Sequence, residues 1–545
     1  MRDTGAGTQR AGTTWLPPTP FMADWLYVHQ GRTPHAPAVA SATVRLTYGD
    51  LADRVGALAS DLVASGVGLG SRVLVALPNS PATVVAGLAL NMIGATSVEL
   101  SREWSGDVLG DVLERSGCRH AFIWVRDVPK WSTCLSGRTI DRAWVLIGDV
   151  PAGSSAAIGD VPASMLLADG RLNPSLTLGP PPPRRALDPD QAALVLYTSG
   201  STGRPHGVIQ TFRNIDANSR SIVEYLGLGP SDRAMLTLPL SYCYGRSVLQ
   251  THLLAGGSVF LEHRTAFPRT ILETMAAEGC TGFAGVPLTF EMIKRQVDVS
   301  AIDLSHLRYL TQAGGAMAPE TIGWVRESFA PAELFVMYGQ TEATARLSYL
   351  PPARAAEKPG SIGVAIPGVE LRVIAQDGRE VSPGMVGEIV ARGPNVTPGY
   401  LDEPDETARI LRDGWLWTGD LGERDEEGFL YHRGRAREIL KIGGHRVGPI
   451  EIENVVTRYP GVAEAVVIGT PDSLLGEVPI AVVVPSAGTT LDELGLLEFC
   501  RANLTALRVP ARIVIVDSLP RNAAGKPLRN AIARTHGARR EGSKP

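Results

Sequence analysis

Short apolar runs separated by helix-periodic segments constrain this chain more than any other feature. "RVLVALP" (72–78), "HAFIWV" (120–125), "AWVLIGD" (143–149) and "ALVLY" (193–197) read as buried strands. Ahead of the first, "LTYGDLADRVGALASDLVASG" (46–66) puts Leu51, Val55, Leu58 and Leu62 on one helical face. Thr47 stands where an N-cap belongs. Ser80 caps a second helix, with Pro81 at its first position. Strands that alternate with helices bury both faces of their sheet, so the pattern predicts a mostly parallel sheet covered on each side.

At ~100–200 residues per domain, 545 residues make two to four modules. A proline-rich polar stretch (168–190) connects the first βα run to "ALVLY". The βα rhythm returns over 233–350, and glycine-rich strand-like text follows to 434. Beyond it, "EAVVIG" (464–469), "PIAVVVP" (479–485) and "ARIVIVDSLP" (511–520) read as strands. "TTLDELGLLEFCRANL" (489–504) reads as a helix with a capping box from Thr490 to Glu493. The expected fold is α/β. A large N-terminal domain (1–434) of mostly parallel βα subdomains plus a β-rich part precedes a small C-terminal α+β domain (435–545).

Formal net charge is −4, which gives nucleic acid no electrostatic purchase. Cys118, Cys134, Cys243, Cys280 and Cys500 are scattered, with no CxxC pair, so neither a zinc site nor a disulfide framework is indicated. A reducing cytosol is the simplest home for such thiols. The first residues lack the apolar core of a signal peptide. No run approaches the ~18 apolar residues of a membrane span.

The strand "ALVLY" breaks into "TSGSTGRPHG" (198–207). Gly200, Gly203 and Gly207 allow backbone conformations closed to other residues. Successive N–H groups can then converge as an anion nest. Thr198, Ser199, Ser201 and Thr202 add hydroxyl donors, and phosphate oxygens are the natural guest. No Gly-Lys-Ser/Thr ends the loop, so it is not a Walker A sequence. Taken alone, its composition is that of a linker. The similar "GVGLGS" (66–71) follows a helix and reads as a turn.

Further motifs stand downstream: "AGGA" (313–316), "MYGQTEAT" (337–344), "WLWTGDLG" (415–422), "GRAREILKIGGHRVGPIEIE" (434–453) and "LPRNAAGKPLR" (519–529). With the loop at 198 they resemble, in order, the motifs of the adenylate-forming enzymes: acyl-CoA synthetases, carrier-protein adenylation domains and luciferases. The resemblance covers nearly the whole chain. It implies activation of a carboxylic acid by ATP as acyl-AMP, with release of pyrophosphate. Transfer to the thiol of CoA or of a carrier protein's phosphopantetheine follows. Alternatives are transfer to an amine or other small nucleophile, or a nucleotide-binding protein without turnover.

By that resemblance, Thr198, Ser199, Gly200, Ser201, Thr202 and Gly203 hold ATP phosphates, with Thr202 also taking part in catalysis. Glu342 holds Mg²⁺, a hard ion that takes carboxylate and phosphate oxygens. Thr341 donates to the α-phosphate. Tyr338 stacks on adenine, walled by Gly314, Gly315 and Ala316, while Gly339 and Gln340 complete the nucleotide site. Asp420 accepts the ribose hydroxyls, supported by Arg435. Lys526 bridges the carboxylate and the α-phosphate, where negative charge builds. The C-terminal domain is implied to swing about a hinge at Arg437. Lys441, Gly443, Gly444 and Arg446 are then placed on a tunnel for the pantetheine arm.

Three departures stand out. His206 takes the place usually held by lysine, and is expected at a mobile loop tip assisting pyrophosphate. Arg437 stands where many relatives carry a hinge aspartate. Val98-Glu99 occupies a segment where proline is common. The acyl pocket is assigned to Tyr242, Cys243, Tyr244, Phe283, Ala313 and Gly339. Cys243 falls where amino-acid adenylation domains keep an aspartate for the α-ammonium. A thiol cannot pair a buried ammonium, which argues for an acid lacking that group.

Overall fold

The computed structural model describes residues 16–537, apart from 103, 105, 136–139, 148–162, 172–181, 183–185, 199–203, 265, 437, 444, 487 and 523–524. The chain divides into two compact units. One holds Met1–Leu236, Gly245–His263 and Thr397–Asp402; the other holds Thr237–Tyr244, Arg264–Val396 and Glu403–Pro545.

In the first unit, a seven-stranded sheet runs in the order Ala163–Leu166, Arg142–Leu146, His120–Trp124, Arg72–Ala76, Thr96–Glu99, Ala192–Thr198, His206–Thr211. All neighbours pair parallel except the last two, which form an antiparallel hairpin. The expected caps are in place. The Thr47 hydroxyl accepts from the Asp50 N–H while Asp50 answers the Thr47 N–H, a reciprocal box on the helix Tyr48–Ala64. Ser80 caps Pro81–Met92. Leu74, Val98, Val112, Ile123, Trp131, Val145 and Val195 build a core on one side of the sheet.

The unusual Glu99 ends its strand almost fully buried. The Ser97 hydroxyl donates to its Oε1 at 2.7 Å, and Arg246 Nη2 lies 2.5 Å from the same oxygen. Gly87 makes room for that guanidinium, since a Cβ there would sit 3.4 Å from Arg246 Nη1. The departure from proline thus introduces a paired buried charge.

In the second unit, Gly282–Gly285, Tyr309–Gln312 and Glu333–Tyr338 pair parallel. The sheet then turns antiparallel through Ser348–Leu350, Ser361–Ala365, Leu430–Arg435, Trp415–Arg424, Gly387–Arg392 and Glu370–Ile374. This is the β-rich text read from the sequence, and Leu347, Val373, Ile389 and Leu416 fill its core. The C-terminal segment has its own sheet and a core of Ile442, Ile452, Val467, Ala481, Leu496 and Cys500. Its helix starts at Glu493 and is capped by Asp492, whose Oδ1 accepts from the Leu494 N–H at 3.1 Å. The Thr490–Glu493 box does not form. Asp outranks Thr as an N-cap and stands next to the first helical residue. Among the described residues no helix is long and apolar enough to cross a membrane.

Candidate active site

The strand Glu333–Tyr338 is buried along its apolar stretch and then breaks at Gly339. A Cβ on Gly339 would lie 2.1 Å from the Ala345 carbonyl oxygen, so only glycine fits this crossing. The 3₁₀ turn Thr341–Ala343 follows, and Thr344 holds φ 65° with its hydroxyl donating to the Asn395 carbonyl at 2.7 Å. Positive φ at a β-branched residue is strained, and such strain persists only where surroundings enforce it. The turn presents a buried Thr341, whose hydroxyl donates to Cys243 Sγ at 3.4 Å, beside a half-buried Glu342. Gln340 Nε2 is buried without a hydrogen-bond partner.

Three groups converge on Asp420. The Tyr338 hydroxyl donates to Oδ2 at 2.7 Å, Arg435 Nε donates to Oδ1 at 3.1 Å, and His432 Nε2 lies 3.5 Å from Oδ1. Burial alone would raise this carboxyl. His432, Arg435 and Tyr338 outweigh it and hold Asp420 well below the usual carboxylate range. Burial and the Asp420 charge push the Tyr338 phenol far up, so it stays a donor. The Tyr338 ring is tilted 35° to His432 at 5.9 Å, which fixes its plane. Gly314, Gly315 and Ala316 are exposed in the loop after Tyr309–Gln312. A Cβ on Gly314 would meet the Tyr242 hydroxyl at 2.7 Å.

Arg435 and Asp420 also act on the charge of Lys526. Its loop is closed by the Asn522 N–H donating to the Lys526 carbonyl at 3.0 Å, and by the Lys526 N–H donating to Asn522 Oδ1 at 2.9 Å. The residue keeps exposed surface, yet Arg435 and loss of solvent around the ammonium lower it to about 8, against the pull of Glu438 and Asp420.

Tyr242 and Tyr244 flank Cys243, with their rings edge-on and centroids 6.3 Å apart. The Tyr244 hydroxyl donates to Thr311 Oγ1 at 2.8 Å, and burial pushes that phenol up to about 12. Burial likewise raises the Cys243 thiol, which therefore stays protonated. Ala313 is buried beside Gly314. Phe283 is fully buried and packs edge-on to Phe290 at 6.0 Å, a core position.

In the first unit, Thr198 ends its strand opposite His206, and the loop Ser199, Gly200, Ser201, Thr202 and Gly203 lies outside the described residues. His206 is not at a tip. It opens the strand His206–Thr211, with its ring 5.0 Å from Tyr400. Hairpin pairing draws it into the sheet. Beside it, Arg204 and Arg115 both bond Asp111, and Arg115 Nη2 donates to the Pro205 carbonyl at 2.9 Å. Arg204 first, then Arg115, lowers Asp111 to about 2.

Lys441 and Gly443 are exposed on the hairpin that Leu440–Ile442 forms with His445–Val447, and Gly443 holds φ 55°. Arg437 and Gly444 lie outside the described residues, as does the Arg446 side chain.

Sequence reading missed His432. Residues 432 and 435 would not share a face of a regular strand. A register shift between Leu421 and Gly422, with Gly434 at φ 114°, turns both toward Asp420. Arg346 was missed too; it follows the motif at 337–344 and is buried against Tyr244.

Residues 26–401 match the family model described as AMP-binding enzyme, and residues 451–526 match that of the AMP-binding enzyme C-terminal domain. A feruloyl-CoA synthase of Amycolatopsis sp is 34% identical, over 95% of this chain and 99% of its own length. An indoleacetate–CoA ligase of Aromatoleum aromaticum is 32% identical, over 93% and 96%. Among solved structures, the O-succinylbenzoate coenzyme A synthetase MenE of Bacillus subtilis, in complex with ATP and magnesium ion, is similar with a TM-score of 0.78. It is 27% identical, with 93% of this chain and 98% of that one covered.

Proposed function

Because this chain belongs to the AMP-binding enzyme family, the adenylate-forming superfamily, we propose that it is an AMP-forming acid–thiol ligase. It joins a carboxylic acid to ATP as acyl-AMP, releases pyrophosphate, and passes the acyl group to the thiol of coenzyme A. One observation carries the reading. Tyr338, Asp420 and Arg435 are bonded into one constellation, and the Lys526 ammonium lies within its field.

The chemistry needs little covalent help. The carboxylate oxygen attacks the α-phosphorus, and charge repulsion and geometry set the barrier. Lys526 neutralises charge shared by the incoming carboxylate and the α-phosphate. Asp420, ionised at all working pH values, accepts the ribose hydroxyls, and Tyr338 offers its ring to adenine. Thr341 donates to the α-phosphate. Residues 198–203 cradle the phosphates. The side chains present suit Mg²⁺. Among the described residues no three His, Cys, Asp or Glu side chains form a cage, and Glu342 offers the single carboxylate that such an ion needs beside substrate phosphates. When bound, the ion neutralises phosphate charge. Residues 435–545 act as the mobile lid, pivoting at Arg437. They withdraw Lys526 after the first step and bring Lys441, Gly443, Gly444 and Arg446 to the pantetheine arm of CoA or of a carrier protein.

Acid-dependent exchange of labelled pyrophosphate into ATP tests the first step. Acids that support exchange should yield acyl-CoA and AMP when CoA is added. Exchange without thioester, but with an amide on adding amines, would move the acceptor to another class. A pantetheine-loaded carrier accepted in place of CoA would refine it.

The value near 8 for Lys526 has a pH consequence. The ammonium is the working form, present below about 8 and lost as pH rises through it. In kcat/KM for adenylation, which reports the free enzyme, activity should fall above pH 8. Lys526→Arg stays protonated throughout and should lose that alkaline fall while being slower. A persistent fall in the arginine variant would assign it to another group.

A further inference from the structure

The turn that carries Lys526 is braced by a side chain outside the motifs' assigned roles. Leu519 before the turn and Ile532 after it share a core with Val466, Ile480 and Val482. Between them the chain doubles back. The Leu528 N–H donates to the Pro520 carbonyl at 2.8 Å, the Asn522 N–H donates to the Lys526 carbonyl, and Gly525 turns at φ 76°. Arg521 ties this turn to the sheet. Its Nη1 donates to the Gly525 carbonyl at 2.8 Å, while its Nη2 bonds Glu464 Oε2 on the strand Val462–Asp472. Both side chains are half-buried. Burial raises the Glu464 carboxyl, against the pull of Arg521 and then Arg295, with Glu291 adding to the rise. A Cβ on Gly525 would lie 3.5 Å from Val286 and 3.8 Å from Leu288, so the turn comes against the start of the helix Pro287–Gln296, to which Glu291 and Arg295 belong.

We propose that Arg521 is a positioning residue for Lys526, and that Glu464 acts through it by holding the guanidinium against the Gly525 carbonyl. This rests on the ligase reading above. A lysine ammonium stands on a flexible stem, so it can be aimed only if the backbone beneath it is fixed. The backbone bonds that close the turn are internal to it; they set its shape and not its tilt on the sheet. An arginine fork with one arm on the turn and the other on a sheet strand sets the tilt. Stability alone does not call for the pair, since ion pairs that keep contact with solvent contribute little. In this role the arginine touches no reacting atom. It acts on adenylation through the ammonium it places, where a small misplacement is costly.

The test compares the two half-reactions in the full-length enzyme: acid-dependent ATP–pyrophosphate exchange, and CoA acylation from synthetic acyl-AMP. Arg521→Leu should lower the exchange rate at saturating ATP by about 10- to 100-fold. KM for ATP and the rate of acylation should stay close to wild type. Arg521→Lys should recover part of the loss. Glu464→Leu should cost less than Arg521→Leu, and the double variant no more than Arg521→Leu alone. The decisive comparison is made in a Lys526→Ala background. There Arg521→Leu should cost almost nothing further, because no ammonium is left to place. A full further loss in that background, or equal loss in both half-reactions, would overturn the inference and show that the arginine serves the fold or the nucleotide site. Unchanged exchange in Arg521→Leu would overturn it too. If Arg521→Leu does not fold, Arg521→Lys and Glu464→Gln are compared in the two backgrounds, with the same deciding outcomes. A wild-type enzyme that exchanges with none of the acids would sink the ligase reading, and this inference with it.

Discussion

Lys526→Ala is expected to slow acyl-adenylate formation by about 10²–10³-fold, the usual loss on removing one preorganised donor from a charge-building centre. The Asn522 contacts to residue 526 are made by its backbone, so the loop should survive truncation of the side chain. ATP affinity should change little, because the lysine acts where the carboxylate meets the α-phosphorus. Synthetic acyl-AMP offered with CoA bypasses that step and should be converted at close to the wild-type rate. Stopped-flow pyrophosphate release separates the two. Equal loss in both half-reactions would mean that Lys526 serves the fold or the nucleotide site.

Asp420→Ala should remove ATP binding and also destabilise the second unit by roughly 2–4 kcal/mol. Asp420 is 3% exposed and answers three side chains. Arg435 keeps 43% of its side chain in solvent, which holds the cost toward the lower end of that range. The pH dependence has a definite sign. The folded carboxyl is depressed, so its stabilisation is complete above the unfolded value of ~4 and is lost as pH falls below it toward the folded value. Acid denaturation of wild type and Asp420→Ala should therefore converge at low pH and separate above pH ~4. Parallel curves across the whole range would show that the stabilisation is packing and not charge.

Local rules made much of the fold legible. Thr47 and Ser80 cap because short polar side chains preceding an apolar helical face have few other uses. The motif at 337–344 points to Glu342 through its resemblance to the adenylate-forming enzymes. Asp420 and Lys526 rest on the same resemblance, through the motifs at 415–422 and 519–529. His432 was hidden because a bulge rather than the two-residue period aims it at Asp420. Arg346 was hidden because its burial depends on the chain doubling back through Thr344 at φ 65°. His206 was placed at a loop tip by motif position, whereas strand pairing with Thr198 claims it. In each case a tertiary feature, and not the local sequence, decides where the side chain goes.

The most direct measurement follows oxygen. A substrate acid labelled with ¹⁸O in both carboxyl positions is turned over with ATP and CoA, and the products are weighed by mass spectrometry. Attack of the carboxylate on the α-phosphorus leaves one labelled oxygen in AMP, one in the thioester and none in pyrophosphate. Label appearing in inorganic phosphate, with ADP as the nucleotide product, would mean that the acid attacks the γ-phosphorus, and adenylation would not be the reaction this chain performs.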